Sequence, residues 1–287
     1  MLTIEVIKPG MYTSIQDGGR FGMEAYGISQ GGFMDQKAGQ LANRLVGNAP
    51  KAALLEITGT GPTLRFLRSA KIAIAGGEFC PLLNGEKIEQ YKLLDVPEGA
   101  ILKIPNAQRG FRGYLAVKGK LIADQVYNSS STHFHSAFGG FKGRTLQKGD
   151  VLEIQKQAVS IKAKVSVEKG KPRAKEHIIA LHPGPESDTL TTAQKMSFST
   201  HQFVVSNQSN RMGYRLSGKW IQEKITVDTI ISSGNVRGVV QLPASLEPII
   251  LMNDAGTTGG YPRIGVCDDP DEIAQIKPGS LVRFQWI

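Results

Sequence analysis

The 287 residues are 40% hydrophobic and 21% charged, with 33 Gly and 14 Pro, a composition that supports a folded core and excludes a disordered chain. At roughly 150 residues per domain, the length suits two modest domains or one large one. A formal net charge of +9 raises nucleic acid as a partner, but the excess is concentrated: from Lys156 to Glu176 seven cations stand against two carboxylates, with no aromatic residue to stack on a base. With Gly170 and Pro172 inside it, this stretch reads as a solvated basic linker, 157–176, between an N-terminal domain at 1–156 and a C-terminal domain at 177–287. No apolar run approaches the ~18 residues of a membrane span, and the first 25 residues lack the pattern of a secretory signal. A cytoplasmic protein with no membrane or nucleic-acid partner is expected. Cys80 and Cys267 lie far apart with no CxxC, which removes a disulfide framework or zinc ribbon and predicts two buried thiols.

In chain order, apolar alternation predicts strands at Ile4–Ile7, Ala70–Ala75, Tyr114–Val117, Phe203–Val205 and Val239–Leu242, separated by Gly and Pro. Helical signals are few. Asp35 is placed to cap a helix running to Val46, with Ala38, Leu41, Ala42 and Leu45 as its apolar stripe and Gly47 to end it. A shorter helix is expected after Asp269, where Pro270 takes the first position and Asp271 and Glu272 suit the positive end of the dipole. Three segments, Val96–Leu102, Leu146–Leu152 and Ile276–Val282, each place a Gly-containing polar turn before an apolar strand. Many short strands with few helices favour small barrels or sandwiches, a mainly β fold.

Several motif matches fail on their own chemistry. GYRLSGK at Gly213–Lys219 has Trp220 where a phosphate-binding loop needs a metal-ligating hydroxyl. Neither GxGxxG nor GxSxG occurs in the right setting. His133 and His135 would share a strand face, but no third ligand is spaced to join them, so no metal is expected.

Arginines recur beside glycine: Gly19-Arg20, Arg112-Gly113, Gly143-Arg144, Arg211 near Gly213, and Arg237-Gly238. Glycine allows close approach and a guanidinium grips a carboxylate or phosphate bidentately, so the pairing suits an anionic ligand; a turn cap or a surface ion pair is the commoner explanation of any single case. Gly-rich runs are densest at Gln16–Gly22, Gly139–Gly143 and Thr257–Pro262. The last follows the apolar stretch Ile249–Met252 and Asp254, which puts a carboxylate, two hydroxyls and backbone N–H groups at one strand end.

At these residues the sequence resembles a known family. QDGGRFG (Gln16–Gly22), MDQKAGQLANRLVGN (Met34–Asn48), LEITGTGP (Leu55–Pro62), RGYLAVKG (Arg112–Gly119), GGFKGRTLQKGD (Gly139–Asp150), SNRMGYRL (Ser209–Leu216) and TTGGYP (Thr257–Pro262) are similar to the KipA family, also called allophanate hydrolase subunit 2 or the C subunit of bacterial ATP-dependent 5-oxoprolinase. The resemblance implies two cyclophilin-like β-barrel domains with few short helices, a KipI-like partner, and a LamB/YcsF-like third subunit. It leaves two chemistries open: ATP-driven opening of 5-oxo-L-proline to L-glutamate, with ATP shared between subunits, or carboxyl transfer from biotin carried on another chain. A regulatory binding protein without catalysis is a third reading. The motifs carry over Arg211, Asp254 and Asp35 as catalytic candidates, and Arg20, Arg112, Arg144, Arg215, Thr257, Thr258, Gly259 and Gly260 as substrate or anion contacts. Asn43 and Glu56 also fall in motif positions, with loop-tying as their alternative role. Three positions depart from the pattern: Asn210 stands where an acid is expected before Arg-Met-Gly, Ala255-Gly256 replaces a polar pair, and Lys118-Gly119-Lys120 replaces Gly-Gly. A neutral Asn210 is expected to leave Arg211 freer for a substrate anion.

Overall fold

The computed structural model describes residues 1–156, 176–221 and 227–287. The expected linker 157–176 lies outside the described residues except for Glu176 at its end. The chain divides into two compact units, Met1–Arg20 with Gly31–Lys171, and Phe21–Gln30 with Pro172–Ile287, so ten residues from the N-terminal half join the second unit. The fold is mainly β, with three α-helices among the described residues.

In the first unit, strands Lys120–Leu121, Val151–Gln155, Leu2–Lys8, Thr63–Phe66, Ile101–Lys103, Leu82–Leu83 and Glu86–Lys87 form one antiparallel sheet in that order. A second antiparallel sheet orders Tyr12–Gln16, Leu54–Thr58, Arg109–Val117, Ala70–Glu78 and Leu94–Val96. Ile4, Val6, Leu64 and Leu152 from the first share one core with Ile15, Ile57, Ile74 and Leu115 from the second. The second sheet is covered on its other side by helix α1 (Gln36–Val46), where Ala73, Ala75 and Ala116 meet Ala38, Ala42 and Val46. This explains the two strand patterns. Leu2–Lys8 alternates buried and half-buried, as a sheet with one covered face must, whereas Leu54–Thr58 is buried at every position. Small alanines on the helix side let α1 approach closely.

Helix α1 begins where its cap predicts: the Asp35 carboxylate accepts from Ala38 N–H at 2.9 Å, and Gly47 ends the helix at φ 80°. The expected Gly turns share one device. Gly99, Gly149 and Gly279 take φ of 80°, 88° and 82°, and each donates its N–H to a neighbouring strand's carbonyl, on Phe66, Val6 and Val205.

In the second unit, strands Glu176–Pro183, Arg263–Cys267, Val239–Gln241, Ile249–Leu251, Gly213–Ser217, Phe203–Val205 and Leu281–Trp286 close a barrel. The seam pairs the first and last in parallel, from Glu176↔Leu281 to Leu181↔Trp286. Helix α2 (Thr192–Thr200), which the sequence reading lacks, starts with a capping box between Thr191 and Gln194. Its Phe198 packs on Phe284 at 4.9 Å and on Phe203 and Trp220 at 5.2 Å. Helix α3 (Pro270–Ala274) is capped by Asp269, as expected. Two local expectations are corrected. His133 and His135 lie in a turn, with the His133 ring stacked on Phe138, because the bridge between those two residues reverses the chain. Cys80 is only half-buried, while Cys267 is buried with its thiol pushed upward by desolvation. The failed GYRLSGK match agrees with the structure, where Gly213–Ser217 is a barrel strand paired on both sides.

Candidate functional site

In the first unit the QDGGR segment meets a run that the sequence reading missed, Ser129–Thr132, all four of whose residues are buried. The Asp17 carboxylate accepts from Gly19 N–H (2.8 Å), Ser129 Oγ (2.7 Å), Ser131 Oγ (2.6 Å) and Ser130 N–H (2.6 Å). Arg20, 1% exposed, donates to the Ser131 carbonyl at 2.5 Å and lies 4.8 Å over the Phe138 ring. The neighbouring glycines have a physical reason. A Cβ on Gly31, at φ +62°, would stand 2.8 Å from Arg20 Nη1, and one on Gly139 would run into the Ser131 carbonyl. The expected Gly–Arg association is therefore real, but the glycines clear space for the guanidinium and its acceptor inside the protein. The only sequence signal for the serine run was four consecutive hydroxyl residues.

Asp35 and Arg112 belong to a second buried group. Met34 N–H donates to Glu56 Oε2 and Asp35 N–H to Tyr114 Oη, both at 2.7 Å. Burial first, then the charges of Glu56 and Asp35, push the Tyr114 hydroxyl well above its ordinary value, against a smaller opposing effect of Arg112. Phe33 N–H donates to the Asp17 carbonyl at 2.9 Å, so the short segment from Gly31 to Asp35 links this group to the Asp17 network. Asn43 ties the loop after α1 to the carbonyls of Pro50 (3.2 Å) and Ala52 (2.7 Å). With Asp35 acting as a cap, Asp35→Ala is expected to cost ~1 kcal/mol of stability, measured by urea unfolding, with turnover of an assembled complex within about twofold. A hundredfold loss of turnover at unchanged stability would give Asp35 a chemical role instead.

Arg144 is clamped by Asp150 at 2.7 and 2.8 Å and is stacked 5.1 Å over Phe141. Burial alone would raise the Asp150 carboxyl, but hydrogen bonds from Arg144 and Gln147 N–H outweigh it and hold the carboxyl below its usual range. A depressed folded value means that the stabilisation is present above about pH 4, the ordinary aspartate value, and is lost as pH falls through the folded value. Asp150→Asn is expected to flatten the acid limb of a stability-against-pH profile; an unchanged limb would contradict this account.

In the second unit Arg211 and Asp254 form a bidentate pair, Nε to Oδ2 at 2.8 Å and Nη2 to Oδ1 at 3.0 Å, with side chains 7% and 5% exposed. The expected freedom of Arg211 is corrected: with a neutral Asn210 beside it, the guanidinium finds its carboxylate 43 residues away, and Asn210 itself accepts from Met212 N–H. Asp254 N–H also donates to the Arg211 carbonyl, and Met252 N–H to Met212, so the pair fastens the Ile249–Leu251 strand end to the start of Gly213–Ser217. Beyond it runs the rim Gly256–Gly260, in which Thr258 is exposed and Thr257, Gly259 and Gly260 are half-buried. Arg215 is exposed on its strand, paired in register with Ile249. The candidates thus fall into separate groups: Arg20, Arg112, Arg144 and Asp35 in the first unit, Arg211, Arg215, Asp254 and Thr257–Gly260 in the second. Among the described residues, no group of three or more His, Cys, Asp or Glu is placed to hold a metal ion, and no helix is long and apolar enough to cross a membrane.

Comparison with known proteins identifies the chain's relatives. Residues 26–286 match the family model for the carboxyltransferase domain, subdomain A and B. The chain is 38% identical to the C subunit of Escherichia coli 5-oxoprolinase over 98% of this chain and 90% of that protein. It is 33% identical to urea amidolyase of Lachancea kluyveri over 98% of this chain and 17% of that protein. Among solved structures, TTHA0988 superposes with a TM-score of 0.87 at 31% identity, and urea amidolyase of K. lactis with 0.88 at 29%; the chain covers 55% and 18% of their lengths. The motif resemblance and the mainly β, barrel-containing architecture therefore agree, and the chain belongs to the carboxyltransferase domain, subdomain A and B, family.

Proposed function

We propose that this chain is the C-type component of a cytoplasmic ATP-dependent 5-oxoprolinase, opening 5-oxo-L-proline to L-glutamate together with a KipI-like and a LamB/YcsF-like subunit. The observation that carries this reading is the similarity to the E. coli protein over nearly the whole of both chains. The Gly256–Gly260 rim supports it chemically. Lactam opening develops negative charge on the amide oxygen, and fixed hydroxyl and N–H donors lower that barrier, one donor being worth ~3 kcal/mol. Thr257 and Thr258 supply such hydroxyls at a rim braced by the Arg211–Asp254 pair. The Gly213–Lys219 match offers ATP no phosphate loop, since Gly213–Ser217 is a barrel strand, which favours a partner as the holder of the nucleotide. Carboxyl transfer from biotin on another chain is the second reading, favoured by the family model and the urea amidolyase likeness.

The chain mixed with both partner subunits is expected to form glutamate from 5-oxoproline with matching ATP consumption, and the pure chain alone is expected to be nearly inactive. ATP turnover independent of 5-oxoproline with all three chains present would defeat the first reading. Carboxylation of an amide by added carboxybiotin carrier would establish the second.

A further inference from the structure

The segment from Ile230 to Asn235 lies along the Gly256–Gly260 rim as a strap, and its contacts run residue by residue. Ile230 N–H donates to the Gly260 carbonyl at 2.8 Å, Ser233 pairs with Gly259, Gly234 pairs with Thr258, and Asn235 N–H donates to the Thr257 carbonyl at 2.8 Å. The Asn235 side chain finishes the series: its Nδ2 donates to the Gly256 carbonyl at 3.3 Å, while its Oδ1 accepts from Gln241 Nε2 at 3.2 Å. Gln241 is buried and sits on barrel strand Val239–Gln241, so this carboxamide pair ties strap and rim to the barrel wall. A second tie comes from Arg263, which donates to the Gly234 carbonyl at 2.7 Å while gripping Glu186 at 2.6 and 2.8 Å. Gly259 gains its reason here, since a Cβ on it would stand 2.7 Å from Gln241 Nε2 and 2.8 Å from Asn235 Nδ2. The strap has little reason of its own to hold this shape: Ile231 is 92% exposed and Ile230 only half-buried, so apolar burial contributes little and polar ties set its position.

We propose that Asn235 is a positioning residue for the rim, setting the presentation of Thr257 and Thr258 to a small amide substrate through the Gln241–Asn235–Gly256 relay. This rests on the reading of the rim as the substrate-binding edge. Asn235→Asp tests it, because a carboxylate of the same shape still accepts from Gln241 but has no hydrogen to give the Gly256 carbonyl and repels it. A protonated carboxyl regains one donor.

Two measurements separate the clamp from the reaction. Amide hydrogen exchange on the full chain, which needs neither substrate nor partner, is expected to rise about tenfold in 230–235 and 256–260 of Asn235→Asp, with barrel strand amides and the thermal midpoint unchanged. In the three-chain complex, KM for 5-oxoproline is expected to rise about tenfold with kcat changed less than threefold, and the defect is expected to shrink as pH falls. Gln241→Glu is expected to give a smaller change in the same direction. Unchanged exchange in strap and rim, or a fall in thermal midpoint with exchange rising throughout the barrel, overturns the proposal. So does raised rim exchange with KM unaltered in an active complex. If the wild-type complex does not turn over 5-oxoproline while local exchange still rises in the variant, the clamp stands and the substrate assignment falls.

Discussion

Asp254→Asn is expected to destabilise the chain by about 3–5 kcal/mol, the usual cost of stranding one member of a buried ion pair. The two contacts to Arg211 use both carboxylate oxygens, at 2.8 and 3.0 Å, so an amide leaves an N–H facing a guanidinium N–H as well as removing the charge. Arg211→Lys keeps the charge but loses the fork, and is expected to lower stability and activity together. Removing both charges, with Arg211→Met and Asp254→Leu, is expected to recover much of the lost stability, since neither partner is then left buried alone. Urea unfolding of Arg211→Met, Asp254→Leu and the double variant that combines them gives the coupling directly. A loss below ~1 kcal/mol for Asp254→Asn, or lost activity at full stability for Arg211→Lys, would mean that the pair opens to hold substrate.

The second large effect is expected at Asp17. Its carboxylate accepts four hydrogen bonds from Gly19 and Ser129–Ser131, and Asp17→Ala leaves the donors in or beside a buried loop without this acceptor. Hydrogen bonds to a charged group are worth ~1.5–3 kcal/mol each but are not additive, so a net loss of roughly 2–4 kcal/mol is expected. Because Arg20 donates to the Ser131 carbonyl, the same change is expected to shift its guanidinium from its present seat. Asp17→Asn, which retains one strong acceptor, is expected to lose about half as much. Stability of Asp17→Ala within ~0.5 kcal/mol of the parent, the range of an ordinary surface change, would show that the serine loop is held by other contacts.

What the sequence determined by itself was local or periodic. Asp35 and Gly47 bracket α1 because a cap and a left-handed stop act within one helical turn, and Gly99, Gly149 and Gly279 turn the chain because positive φ is a property of the residue. Alternation fixed the mainly β character, and long motifs in register fixed the family. Helix α2 escaped because its apolar periodicity is weak: Phe198 is its one buried residue, and the Thr191–Gln194 box alone marks its start. The tertiary structure decided everything that depends on partners distant in sequence. Which carboxylate Arg211 takes, which carbonyl Arg20 reaches 111 residues away, and which carboxamides lean on Gly259 follow from strand order, since a charge or amide leaving water takes whatever complementary group the fold places beside it. Gly beside Arg was legible as close approach in the sequence, but only the fold shows that at Arg20 the approaching group is the protein's own guanidinium.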